Sequence, residues 1–199
     1  MSTCRKCYST APKFGKTVAR ATPKRSFSSE RLTSPSEEYK EIFIAEVKAG
    51  KILKLTFVVV GKLKERFLVE GVAEYLKRLK KFASVDVREI SEQRTVDEEG
   101  QKLLSLVPPN SWLCLLDVAG KELDSETFAK KIAALALDGV SSLTFAIGGA
   151  FGVSEELRQA ADFRLSLSQM TFTHQMARLV LAEQIYRAFK INRNEPYHW

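Results

Sequence analysis

From Leu53 onward the apolar positions follow two alternating rhythms. Leu53–Val60 is a β-branched run of strand length closed by Gly61, and Phe67–Phe82 then places Phe67, Val72, Tyr75, Leu76 and Leu79 at helical spacing. Val85–Ile90 alternates as a strand does, and Asp97–Leu106 reads as a short helix stopped by Pro108-Pro109. Trp112–Leu116 is a third strand, followed by a helix over Ser125–Leu137 with a cap at Asp124 or Ser125. Leu143–Ile147 is a fourth strand, Glu155–Ala161 a helix, Phe163–Leu167 a fifth strand, and a last helix runs from His174 to about Lys190. Strands that alternate with helices predict an α/β fold, a mostly parallel sheet with helices on both faces. Before this body, Tyr39, Ile42, Phe43 and Val47 suggest a short amphipathic leader helix within residues 37–52.

Charge divides the chain differently. The formal net charge is +7, yet residues 1–36 hold eight Lys/Arg and one acid, Glu30, which leaves 23 basic and 23 acidic residues in the rest. The body is therefore neutral, and any attraction to phosphate has to come from local patches. Two are visible, Lys62/Lys64/Arg66 and Lys77/Arg78/Lys80/Lys81, candidate RNA contacts, although such a charged cluster is more often a solvated face. Residues 1–36 also contain twelve Ser/Thr and no sustained helical period, so they bury too little to offset chain entropy. Rich in Arg and Ser, with Arg25-Ser26-Phe27-Ser28-Ser29 shaped like a presequence cleavage site, they predict a disordered basic transit peptide. That reading places the protein in a mitochondrion, with a plastid as the alternative and the cytoplasm if the leader has another purpose. No apolar run approaches the ~20 residues that a spanning helix needs, so no membrane partner is expected. Cys4-x-x-Cys7 lacks a second pair or a nearby His, and Cys114 sits in an apolar run; no metal site is expected.

In an open α/β sheet ligands bind beyond the carboxyl ends of the strands. The most informative such segment is Ile147-Gly148-Gly149-Ala150-Phe151-Gly152-Val153-Ser154-Glu155-Glu156, a strand, a glycine turn and a helix start. It has neither Gly-Lys-Ser/Thr nor G-x-G-x-x-G, and Glu155 and Glu156 occupy the first helical turn where a phosphate would lie. A ligand without phosphates is favoured, beside the alternative of a purely structural tight turn. The chain's two histidines, His174 and His198, flank the last helical region, and Tyr197 adjoins the second. Within that helix Leu179-Val180-Leu181-Ala182 is apolar on every side, so either the core or a second subunit covers it.

Seven blocks, in order, resemble the ribosomal RNA large subunit methyltransferase H family of the SPOUT class over residues 53–199. They are Val60-Gly61-Lys62-Leu63-Lys64-Glu65; Asp97-Glu98-Glu99-Gly100; Leu116-Asp117 with Gly120-Lys121; Phe145-Ala146-Ile147-Gly148-Gly149 with Gly152; Leu165 to Phe172 with His174-Gln175; Arg178 to Leu181 with Glu183 to Ala188; and Pro196-Tyr197-His198. Three features depart from the pattern: Thr173 stands where the family often has proline, the segment Glu92–Val96 is short, and the basic leader is absent from bacterial members.

The resemblance implies a SPOUT methyltransferase fold with a C-terminal trefoil knot, a homodimer, and S-adenosylmethionine as cofactor. It implies methylation at N3 of a pseudouridine in large-subunit ribosomal RNA, free or in an assembled ribosome. Carried over by position, the cofactor contacts would be Leu116, Gly148, Leu167, Ser168, Gln169, Met170, Thr171 and Phe172. In an in-line transfer, positioning supplies at best about 7–11 kcal/mol, and a base for the N3 proton adds roughly 10²–10⁴-fold. His174 and His198 are the candidate bases or orienting groups, Tyr197 a partner for the base edge, and Arg178 and Arg187 candidates for steadying the uracil anion or a phosphate. Two other classes stay open on sequence alone: a catalytically silent SPOUT relative acting as a ribosome assembly factor, and a nucleotide-binding α/β module.

Overall fold

The computed structural model describes residues 53–197; the expected transit peptide (1–36), the leader helix and linker (37–52) and His198 lie outside them. Five strands, β1 (Leu53–Val60), β2 (Ala83–Ile90), β3 (Trp112–Glu122), β4 (Ser142–Ile147) and β5 (Phe163–Ser166), alternate with helices α1 (Arg66–Leu79), α2 (Val96–Leu106), α3 (Ser125–Leu137), α4 (Glu155–Ala160) and α5 (His174–Asn192). They form one sheet in the order β2-β1-β4-β3-β5, with every pairing parallel. Parallel strands need crossovers, which α1 to α4 supply, and α5 follows the last strand.

The alternation of side chains along the strands divides the core in two. Leu55, Phe57 and Val59 of β1 point with Cys114, Leu143 and Phe145 toward α1, α3 and α5, whereas Val58 and Val60 point with Leu113, Leu115 and Ala146 toward α2 and α4. Phe57, Phe128 and Phe145 meet ring to ring within the first cluster. The all-round apolar stretch of α5 is explained in part by this core: Leu181, Ala182, Ile185, Ala188 and Phe189 are buried. Leu179 and Val180 stay half-exposed.

Three boundaries differ from the sequence reading. α1 stops at Leu79 because Lys81 and Phe82 turn tightly onto the carbonyls of Arg78 and Leu79, which lays the Phe82 ring on Phe189. α5 continues to Asn192, whose side-chain amide donates to the Ala129 carbonyl at 2.8 Å. β3 does not end at Leu116: the chain bulges out at Asp117–Gly120 and rejoins β5 with Lys121 opposite Leu165. The bulge requires glycine at position 120, where a Cβ would lie 2.8 Å from the Arg164 main chain.

Candidate active site

The registers bring the strand ends together. Leu116 pairs with Ile147 on one side and Leu165 on the other, so the chain leaves β3 at Asp117, β4 at Gly148 and β5 at Ser166 along one edge of the sheet. β1 ends beside β4, with Val59 opposite Ile147 and Gly61 next in sequence. From β1 the chain turns toward β2, from β4 it crosses toward β5, and the crevice between such diverging connections is where open α/β sheets bind ligands.

The glycine turn is built by close approach. Gly152 has φ of 93° and its N–H donates to the Gly149 carbonyl. A Cβ on Gly148 would lie 2.6 Å from Val153 Cγ1 and 2.7 Å from the Gly152 carbonyl oxygen, so the turn folds flat only without a side chain there. Ser154 caps α4 by accepting from the Leu157 N–H at 3.2 Å, and Glu155 and Glu156 fill its first turn as expected.

After β5, residues 167–173 must travel from the sheet edge back to β1, because the imidazole of His174 lies against Gly61: its Nε2 is 3.5 Å from where a Cβ on that glycine would sit. The crossing spans the ends of β3 and β4, about 14 Å at strand spacing, and Leu167 to Phe172 begin it at the edge where Leu116 and Gly148 also stand. The eight residues expected to contact the cofactor thus stand at or just beyond the paired ends of β3, β4 and β5. Within the crossing, Ser168 is the organiser: its carbonyl accepts from Ser166 Oγ and its hydroxyl from the Met170 N–H, both at 3.0 Å. The main-chain groups of Gln169, Thr171 and Phe172 carry no hydrogen bond among the described residues. Met170 and Phe172, with Phe151 of the glycine turn and Val118 of the bulge, expose apolar side chains around the crevice. Thr173, where the family often has proline, caps α5: its hydroxyl accepts from the Met176 N–H, a bond that proline could not make.

His174 titrates below its ordinary value, because burial disfavours its charged form and the Arg178 guanidinium repels it; Glu92 and Glu99 oppose this. It is therefore a neutral imidazole at physiological pH, able to accept a proton. Arg178 has other partners than the expected anion. It is 4% exposed, its Nη2 donates to the carbonyls of Val60 and Gly61, and its Nη1 meets Glu89 Oε1 at 3.0 Å. That makes it a tie between α5 and the end of β1, while its buried Nε has no hydrogen-bond partner among the described residues. Arg187 is committed to Glu183, one turn away, and lies over the Tyr197 ring.

Tyr197 is not near His174. Its ring stands edge-on against Tyr186, 5.1 Å between centroids, where the chain folds back along α5 after Asn192, and burial with a hydrogen bond to Tyr75 pushes its hydroxyl pKa up. Tyr186 lies three turns along α5 from His174, which puts about 18 Å between the two. The basic patches are partly neutralised: Arg66 pairs with Glu70 and Arg78 with Glu74, at 2.7 and 2.8 Å.

Sequence reasoning missed Glu99 as part of the site, although its block was quoted for the resemblance. A buried acid followed by glycine in the first turn of a helix was the available signal, because glycine there weakens a helix unless something packs against it.

Residues 53–198 match the family model described as "Predicted SPOUT methyltransferase". The chain is 48% identical to "Ribosomal RNA large subunit methyltransferase H" of Carboxydothermus hydrogenoformans over 158 residues, 73% of this chain and 99% of that protein. It is 46% identical to the protein of the same name from Halothermothrix orenii, at the same coverage, and 44% identical to that of Clostridioides difficile, again over 73% and 99%. With a parallel five-stranded sheet whose glycine turn and returning loop meet at the strand ends, the chain belongs to the SPOUT methyltransferase family.

Proposed function

We propose that this protein transfers a methyl group from S-adenosylmethionine to N3 of a pseudouridine in large-subunit ribosomal RNA. The observation that carries the reading is the turn at Gly148–Gly152, which is open, glycine-built and followed by an acidic helix start. It suits a ligand that approaches main chain closely and has no phosphate. The names of relatives at 44–48% identity supply the substrate class.

The residues present fit this cofactor. Leu116, Gly148 and the apolar side chains of Leu167, Met170 and Phe172 suit an adenosine, while the unpaired main-chain groups of Gln169, Thr171 and Phe172 and the hydroxyls of Ser168 and Thr171 suit its polar edges. When bound, the cofactor supplies an activated methyl group on a sulfonium. The chain's own part is to hold the acceptor in line and to take the N3 proton. His174, neutral and at the mouth of the crevice, is the base in this reading.

A homodimer belongs to the proposal. Tyr197 packs on Tyr186, three turns of α5 away from His174 of the same chain, so in this reading a second copy running the opposite way supplies the tail to that histidine. Two features favour such pairing: the half-exposed Leu179 and Val180 on α5, and an apolar groove of about 440 Å³ between α1, β1 and β2, with Val69 and Val87 exposed at its rim and Phe67 exposed nearby on α1. The trefoil knot belongs here too, supported by the return of residues 167–173 across the strand ends. So does import into a mitochondrion, or a plastid, directed by residues 1–36.

Mass mapping of modified nucleotides in organellar large-subunit RNA, with and without the protein, tests the proposal. Loss of one methyl from one pseudouridine is expected; an unchanged modification map overturns it.

A further inference from the structure

Glu99 is a carboxylate where an apolar side chain would cost far less. It sits in the first turn of α2, 4% exposed, and a buried charge is expensive unless it is given work. Its Oε1 accepts from the Gly149 N–H at 2.9 Å. The approach is so close that a Cβ on Gly149 would lie 2.8 and 2.9 Å from the two carboxylate oxygens. The next residue bears on the other end of the same turn: a Cβ on Gly100 would fall 1.9 Å from Ser154 Oγ, the cap of α4. Two successive residues of α2 thus press on the beginning and the end of the Gly148–Ser154 segment. Neither belongs to β4 or α4, which the turn connects, so those two elements alone do not set its shape.

We propose that Glu99 is a positioning residue for the candidate active site: by holding the Gly149 N–H it fixes the glycine turn in the flat form that lets a ligand lie against Gly148. The proposal rests on the methyltransferase reading for the identity of that ligand, but not for the geometry. What matters is an acceptor at the right reach. Glu99→Gln keeps the reach and loses the charge; Glu99→Asp keeps the charge and is one methylene too short.

Two measurements on the purified full chain test this, with unfolding midpoints recorded for each variant. The first is amide hydrogen exchange at Gly149. Protection should persist in Glu99→Gln and fall at least tenfold in Glu99→Asp and Glu99→Ala, whether or not the protein binds any cofactor. The second is calorimetric titration with S-adenosylmethionine. Glu99→Gln should stay within threefold of the parent, and Glu99→Asp should bind at least tenfold more weakly, about 1.4 kcal/mol. Equal Gly149 protection in the parent and Glu99→Asp overturns the proposal, and so does equal weakening of binding in Glu99→Gln and Glu99→Asp. If Glu99→Ala fails to fold, the Gln and Asp variants decide the matter. A parent that binds no S-adenosylmethionine refutes the functional reading instead, while the exchange data still judge Glu99.

Discussion

At the scale of single residues, two side chains on one helix carry opposite expectations. His174 must be neutral to act as a base, and its titration lies below the ordinary 6.5 through burial and the nearby guanidinium. The acid limb of kcat/KM should therefore have its midpoint below 6.5, and His174→Gln should erase that limb and lower kcat by roughly 10²–10⁴ with cofactor affinity kept. A pH–rate profile of both proteins checks it. The same shift affects folding with a definite sign. The folded state holds fewer protons on His174 than the unfolded one, so its contribution is whole above 6.5 and is lost as pH falls through the folded value. Arg178, four residues on, should matter for stability first. Arg178→Met keeps the stem and gives up bonds to two carbonyls and to Glu89, at a cost of about 2–3 kcal/mol in urea unfolding. Because Glu89 is itself 36% exposed, its loss of a partner adds little. In the sequence the two were not separable. A charged residue inside an apolar run looks the same whether it meets a ligand or two strand-end carbonyls, and only the fold decides.

At the scale of elements, most of the architecture was legible because burial on both faces leaves continuous apolar runs in β1, β3 and β4, and because caps such as Asp124 and Ser154 announce themselves. What the pattern hid was β3 beyond Leu116. Asp-Val-Ala-Gly interrupts the apolar run, yet it is a bulge after which the strand resumes, since Lys121 pairs with Leu165, far away in sequence. The glycine turn was legible as a ligand loop by composition, but not the reason for each glycine. Gly148 faces Val153 and the Gly152 carbonyl, so Gly148→Ala has to displace main chain and should weaken S-adenosylmethionine binding at least tenfold, about 1.4 kcal/mol. Calorimetry reads the affinity, and retention of the parent's affinity would separate the turn from the cofactor.

At the scale of the whole molecule, the proposed pairing predicts a particle of about twice 22.4 kDa by light scattering, or somewhat less after loss of the leader, at concentrations where turnover is measured. The proposed pairing rested in the sequence on an over-apolar last helix and on the family resemblance; the distance between His174 and Tyr197 became visible with the helix itself. That separation makes the protein accessible to genetic complementation. A chain with His174→Gln and a chain cut before Tyr197 should each be inert. If each catalytic centre takes its histidine from one chain and its tail from the other, refolding them as an equal mixture rebuilds one intact centre in every hybrid pair, so about a quarter of the parental rate should return. Two dead enzymes would then make a working one, and a mixture that stays silent would mean that every chain works alone.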